Sequence, residues 1–277
     1  MNNKVITVAG LYTLHDVIGQ GAFGKVYSAK RKRQSLQDIE YFDSEYDYNS
    51  DKSLAIKVQL STIESEKEMT ICQKLMIHTI PGIPKFISCG QTGKFTYLVM
   101  ERLGPSLEGP LSLMVILKLT LQLLNILAYL HSLGIIHGDL KPANMLFGAT
   151  PETCHQIHLI DYGLSYGSGA ASGNGGTIRY ASANSHEPGY VQRTQDDLES
   201  LVFVMYYLYQ GTLPWQGIKD IQCVKELKQT FHIQMLTTAK SFPSEYLVLL
   251  LYVRQNDKIN NAYLKNLFLN VYKLHTF

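Results

Sequence analysis

Cysteine is scarce and dispersed in this sequence: Cys72, Cys89, Cys154 and Cys223 share no CxxC spacing, which removes a disulfide framework and a cysteine-rich zinc site. An excess of one charge is equally lacking. Lys plus Arg number 25 and Asp plus Glu 23, so the net charge of +2 offers nothing like the basic surplus of proteins that live on phosphate backbones, and no nucleic-acid partner is expected. Nor does any run read as a membrane span. The stretch Leu111 to Leu130 carries Lys118, Gln122 and Asn125, and Leu198 to Tyr209 is too short, so both are expected as buried helices with no membrane partner. The opening MNNKVITVAGLY lacks the apolar core and cleavage site of a secretory leader, which points to an intracellular protein of cytoplasm or nucleus. With only 9 prolines and no low-complexity run, collagen, solenoid and disordered chains are excluded. What is present is 277 residues, 45% hydrophobic and 17% charged, enough to fill one large domain or two lobes.

Two characters follow one another along the chain. Residues 11 to 30 alternate apolar and polar around a glycine cluster, SLAIKVQL at 53 to 60 is a second β-like run, and FTYLVMERLG a third. One helix, Ile63 to Ile77, lies among them, closed by the breaker PGIPKF. Residues 31 to 53, basic and then acidic and tyrosine-rich without a period, read as a surface insertion. Beyond Leu103 come a long helix through Leu130, short apolar runs at GIIH, NMLF and IHLID, a Gly/Ser stretch from Gly163 to Gly176, and helices to the end. The expected architecture is α+β and bilobal, with a strand-rich N-lobe over 1–102 and a mainly helical C-lobe over 103–277.

Three constellations carry chemistry. Gly19-Gln20-Gly21-Ala22-Phe23-Gly24-Lys25-Val26 is a GxGxxGxV followed by a strand, which suits a hairpin folded over phosphates, although an ordinary Gly-rich hairpin would look alike. Lys57 stands in the apolar strand Ala55-Ile56-Lys57. It is either a solvent-facing lysine or an ammonium directed at phosphates and steadied by a helix glutamate. Glu64, Glu66 and Glu68 are the candidates, and Glu68 is selected because Ile71 and Leu75 then share its helix face. The third set is His137-Gly138-Asp139-Leu140-Lys141-Pro142-Ala143-Asn144 with Asp161-Tyr162-Gly163. An aspartate on a loop can accept a hydroxyl proton, while Asn144 and Asp161 are hard oxygen ligands suited to Mg²⁺. Each alone could be a turn former; their order together argues for a site.

In this order the motifs resemble a eukaryotic-type protein kinase over about 145 residues. Thr177-Ile178-Arg179-Tyr180, then Ser182-Ala183-Asn184 where most kinases have Ala-Pro-Glu, Asp196-Asp197-Leu198-Glu199-Ser200 and Leu213-Pro214-Trp215-Gln216-Gly217 are similar to the casein kinase 1 family. His137-Gly138-Asp139 and Asp161-Tyr162-Gly163 are more similar to the related vaccinia-related kinases. The resemblance implies the bilobal kinase fold, ATP and Mg²⁺ as cofactors, and protein substrates. It implies that Gly19, Gly21, Gly24 and Val26 cover ATP, that Ala55, Leu146 and Ile160 contact adenine, and that Met100 precedes a hinge of Glu101, Arg102 and Leu103. It further implies Lys57 on phosphates with Glu68, Asp139 as base with Lys141 beside it, Thr177 holding both in register, Asn144 and Asp161 on the metal, and Asp197 as a structural tether.

Lys141, two residues after the base, fits Ser/Thr rather than Tyr kinases. Arg179 matches one cation of an anion site that favours acidic or pre-phosphorylated substrates, while the position of the second holds Glu226 beside Lys225. Gly138, in place of the usual arginine, implies activity independent of activation-loop phosphorylation. The rival reading is a pseudokinase or scaffold, against which stands the presence of Lys57, Asp139, Asn144 and Asp161. Cys154, His155 and His158 are expected as surface or core residues, and Tyr206, Tyr207 and Tyr209 as helix packing.

Overall fold

The computed structural model describes residues 6–21, 24–32, 54–167, 176–238 and 242–276. The insertion read at 31–53 lies almost entirely outside them. The chain divides into two compact units: one holds residues up to Thr79 together with Pro84–Leu103, and the other holds Ile80–Ile83 with everything from Gly104 onward.

The first unit is a six-stranded antiparallel sheet of β1 (Thr7–Val8), β2 (Tyr12–Gln20), β3 (Lys25–Arg31), β4 (Leu54–Leu60), β5 (Phe86–Thr92) and β6 (Phe95–Glu101), ordered β1-β2-β3-β4-β6-β5. Alternation gives its two faces different jobs. Ile56 and Val99, opposite each other on β4 and β6, join Val8, Tyr12 and Ala29 in a small core on one face. Lys57 and Ala55 point to the other. Helix α1 (Ile63–Met76) packs on β5 and β6. It starts where Thr62 accepts from the Ser65 amide at 3.2 Å and Ser65 Oγ accepts from the Thr62 amide at 2.8 Å, a reciprocal cap. Its buried stripe is Ser65, Glu68, Cys72 and Leu75, so Cys72, not the half-buried Ile71, continues the face that carries Glu68.

The second unit is built on α2 (Leu113–Ser132), flanked by α3 (Thr194–Gln210) and α6 (Asn261–Leu274), with α4 (Ile221–Thr238) and α5 (Ser244–Gln255) completing the helical layer. α2 is long and apolar enough to cross a membrane by length and composition, yet half of that stretch is buried inside the fold. α3 is buried nearly all round, including Asp196, Asp197 and Glu199, and stops at Gly211, whose φ of 80° is the left-handed conformation that favours glycine. A chain of ring contacts, Trp215–Phe203–Phe231–Tyr206–Phe242–Tyr246–Phe268, links α3, α4, α5 and α6 through centroid separations of 4.3 to 5.7 Å. Tyr206 therefore packs as expected from its helical position.

Two short antiparallel pairs occupy the loops of this unit. β7 (Ile135–Ile136) pairs with β10 (Tyr166–Gly167), and β8 (Met145–Phe147) with β9 (Ile157–Leu159). His158 is buried in β9, whereas Cys154 and His155 are exposed in the preceding turn, and among the described residues no cluster of His, Cys, Asp or Glu could hold a metal.

Candidate active site

In the first unit strand register collects the side chains. Gly19 faces Val26, Val26 faces Lys57, and Ala55 faces Met100 across adjacent strands, so Val26, Lys57, Ala55 and Met100 share one sheet face. Lys57 Nζ donates to Glu68 Oε1 at 2.6 Å, and Gln59 Nε2 donates to Glu68 Oε2 at 2.7 Å. Both carboxylate oxygens are thus engaged from one strand, two residues apart. Glu68 is only 3% exposed, which a carboxylate tolerates when paired and hydrogen-bonded. Glu66 instead accepts from Ser61 at 3.1 Å near the surface, and Glu64 is exposed in the first turn. Sequence alone does not single out Gln59; its i+2 spacing from Lys57 is the one signal it offers.

The three loop glycines differ. A Cβ on Gly24 would sit 2.4 Å from the Val58 carbonyl and 2.7 Å from Gln59 Cβ, so the close approach of β4 alone requires glycine there. Around Gly21 there is open space, and its N–H donates to Gly24 O at 3.0 Å. Gly19 meets only Val26, at an ordinary 3.5 Å. Glu101 Oε1 accepts from the Lys85 amide at 2.7 Å, and Leu103 closes the unit, half-buried.

In the second unit the central residue is Asp139, 5% exposed. Its Oδ1 accepts from both the amide and the hydroxyl of Thr177, each at 2.8 Å. Lys141 Nζ pairs with Oδ2. Asn144 Nδ2 donates to the Asp139 carbonyl at 2.9 Å, which turns its amide oxygen the other way. Antiparallel pairing of β8 and β9 then brings Asn144 and Asp161 to one end of the hairpin, the Ile160 amide donating to Asn144 O at 2.9 Å. Asp161 has φ 68°, a left-handed backbone that is costly for a non-glycine residue and marks functional loops. An amide oxygen and a carboxylate at one hairpin end form a hard donor set that fits Mg²⁺. Leu146 and Ile160, on this same hairpin, remain half-buried.

The loop itself hangs from α3. Asp197 Oδ2 accepts from the His137 amide at 2.9 Å and lies 2.9 Å from His131 Nε2, while Oδ1 accepts from the Gly138 amide at 2.9 Å. Burial pushes this carboxyl up, but the His131 hydrogen bond, the neighbouring His charges and the Gly138 N–H outweigh it and hold Asp197 below its ordinary value. His131, at the last turn of α2, was not read as a partner. Gly138 has φ 78°, and a Cβ on Gly176 would stand 2.8 Å from Gly138 O, so the two glycines allow the close backbone approach that sets Thr177 beside Asp139. Arg179 lies with its guanidinium 5.9 Å and 5.7 Å from the Tyr180 and Tyr207 ring centres, and its carbonyl accepts from Trp215 Nε1 at 2.7 Å.

The protein kinase domain model matches residues 12–269, and the chain belongs to that family. It is similar to a probable serine/threonine-protein kinase of Dictyostelium discoideum, 32% identical over 291 residues that cover 96% of this chain and 54% of that protein. The chain thus spans about half the length of the curated relative it matches.

Asp197→Asn leaves a buried N–H without its carboxylate and should cost on the order of 3 kcal/mol in urea unfolding at pH 7. Because the folded pKa lies below 3.8, the carboxylate's contribution is present above that pH and is lost as pH falls through the lower folded value; the variant should lack this acid slope. A loss under about 1 kcal/mol would contradict the tether.

Proposed function

We propose that this chain is a protein-serine/threonine kinase, moving the γ-phosphoryl group of ATP to a Ser or Thr hydroxyl of a protein. The observation that carries the reading is the setting of Asp139: a carboxylate fixed by Thr177, beside the Lys141 ammonium, on a loop hung from Asp197. Asp139 orients the incoming hydroxyl and takes its proton, and Lys141 offsets charge developing on the transferred group. Asn144 and Asp161 would hold Mg²⁺, and Lys57, steadied by Glu68, the phosphates. Mg²⁺-ATP supplies the phosphoryl group and the counter-charge; the protein supplies position. The resemblance supports adenine contacts by Ala55, Leu146 and Ile160, cover by Gly19, Gly21, Gly24 and Val26, and a hinge after Met100 at Glu101 to Leu103. Asp139→Asn and Asp161→Ala should each lower kcat on the order of a hundredfold or more with an unchanged fold, read by initial rates and circular dichroism. Near wild-type transfer by either folded variant removes the mechanism, whereas absence of transfer by the wild type in the presence of Mg²⁺-ATP favours the nucleotide-binding scaffold.

The subtype inferred is casein kinase 1-like, with substrates that are acidic or pre-phosphorylated. Support comes from Arg179, placed on the activation segment with its planar fork suited to phosphate. The candidates for a second cation contribute less: Lys225 is paired with Glu187, Glu226 is an acid that accepts from Gln222 at 2.9 Å, and Lys228 is fully buried. A preference resting on one cation is weaker than one resting on two. Arg179→Ala should reduce the ratio of kcat/KM for primed over unprimed peptide about fivefold; an unchanged ratio means that the anion contact lies elsewhere.

Activity is further proposed to be independent of activation-loop phosphorylation. Gly138 provides no cation for a phosphate, and Ser165 is buried with its hydroxyl donating to His137 O at 2.8 Å, which closes it to modification. Ser168 and Ser172 lie outside the described residues. Enzyme stripped of loop phosphate, verified by mass spectrometry, should keep its initial rate within about twofold; a fall of tenfold, roughly 1.4 kcal/mol of transition-state stabilisation, would contradict this.

A further inference from the structure

The segment Thr177–Ala183, which carries Arg179 and, if the chain is a protein kinase, faces the peptide substrate, is a turn and not a strand or helix. Its internal bonds are few: the Tyr180 and Ala181 amides both donate to Thr177 O, at 2.8 and 3.0 Å. Three of its carbonyls are instead held from behind by side chains. Trp215 Nε1 takes that of Arg179 at 2.7 Å, and Lys228 Nζ takes those of Ile178 and Ala181, each at 2.6 Å.

Lys228 is a costly residue for this place. It sits in α4 with 0% exposure, its ammonium 5.6 Å and 5.4 Å from the ring centres of Phe203 and Trp215. No carboxylate pairs with it among the described residues. Glu199, the nearest acidic influence, is engaged by Arg254 Nη2 at 2.7 Å. A buried cation without a counter-ion costs several kcal/mol, so what it does must be something an apolar chain cannot do. The third acceptor shows what that is: His186 Nε2 lies 2.9 Å from Nζ. Three acceptors match the three N–H donors of an ammonium, whereas a neutral amine has two.

The geometry points to Lys228 as the positioning residue of the substrate loop, its ammonium joining the turn at 178–181 to α4 and to His186 so that Ile178, 47% exposed, and Arg179 are presented to a peptide. This assignment rests on the kinase reading for the meaning of the loop, not for the tie itself. Among the described residues the hydrogen bonds and ring contacts of the Lys228 ammonium go to Ile178, Ala181, His186, Phe203 and Trp215, none of them assigned to ATP or metal. Its loss should therefore appear in the KM for peptide and leave that for ATP unchanged.

The tie is also sensitive to pH. Burial pulls Lys228 down to about 7 against the opposing pull of Glu199. His186 is brought down to about 4 by burial and by the charges of Lys228 and Lys225, so it is a neutral acceptor at working pH. The other charged groups around them are Asp196 and Glu199 on α3, Arg254 on α5, Lys225 and Glu226 on α4 itself, Glu187 after the short turn of helix at Asn184–His186, and Arg179 on the loop. Between about 7 and the ordinary 10.5 the unfolded chain holds the proton that the folded chain releases, so Lys228 makes overall stability rise with pH in that window. A neutral amine has two N–H donors for three acceptors, so one tie among Ile178 O, Ala181 O and His186 Nε2 is given up and the hold on the turn weakens. The two quantities move in opposite directions.

The test is hydrogen exchange at the Tyr180 and Ala181 amides, referenced to α2 amides and corrected for intrinsic rates, from pH 6 to 9 in wild type and Lys228→Met, together with steady-state kinetics on a peptide. Expected in wild type is a fall in loop protection of about tenfold across this range. In Lys228→Met the protection is already absent at pH 6, and peptide KM is raised about tenfold with ATP KM unchanged. A folded Lys228→Met with wild-type protection and peptide KM overturns the assignment, and protection that stays flat with pH in wild type overturns its pH sensitivity; should Lys228→Met fail to fold, Lys228→Leu is read in the same way. Exchange requires no turnover, so a wild-type protein that transfers no phosphate to any peptide defeats the kinase reading while the exchange data still judge Lys228.

Discussion

The Asp197 carboxylate is the constraint on which the rest of the second unit's site depends. Two consecutive backbone amides, at His137 and Gly138, are aimed at its two oxygens, and this fixes the direction in which the next residue, Asp139, leaves the loop. Only then can one oxygen of Asp139 meet both donors of Thr177 and the other meet Lys141. Because the group is buried and charged, removing its partners is expensive, and the loop has no cheap alternative conformation. The fixed geometry around Asp139 is a property of α3 and α2 as much as of the loop.

A second buried network supports the segment around Ser182 from α3 and α5. Ser182 donates to Asp196 Oδ1 at 2.6 Å, and Glu199, bridged to Arg254, lies 3.4 Å from the Ala183 amide. The segment itself carries Ser182-Ala183-Asn184, without an acidic residue, so α3 supplies the carboxylate from outside. Lys228 and Trp215 complete this arrangement from the other side. The turn after Thr177 and the loop carrying Asp139 are thus both anchored to α3, one through Asp196 and Glu199, the other through Asp197.

Much of this was legible in the sequence because periodicity and motif order are local properties. The strand carrying Ala55 and Lys57, the helix carrying Glu68 and the loops carrying Asp139, Asn144 and Asp161 all fall where pattern and spacing place them. Side chains whose partners are remote in sequence were harder. Gln59 looks like an ordinary polar strand residue until Glu68 is seen to need a second donor. Gly24 reads as a phosphate-loop glycine, although the backbone of β4 already forbids a side chain there. Lys228 was invisible, since a lysine in VKELKQ reads as a solvated helix face, and its burial follows only from the packing of α4 against Phe203 and Trp215. The boundaries of α2 lie two residues beyond those read from hydropathy, as expected where no strong cap marks the start.

The account stands or falls on phosphoryl transfer to an aliphatic hydroxyl. Incubation of the purified chain with radiolabelled ATP, Mg²⁺ and a mixture of acidic protein substrates, followed by acid hydrolysis and phosphoamino-acid separation, measures this directly. Label in phosphoserine and phosphothreonine is the predicted result; label confined to phosphotyrosine, or none above that of a Lys57→Met control, would contradict it.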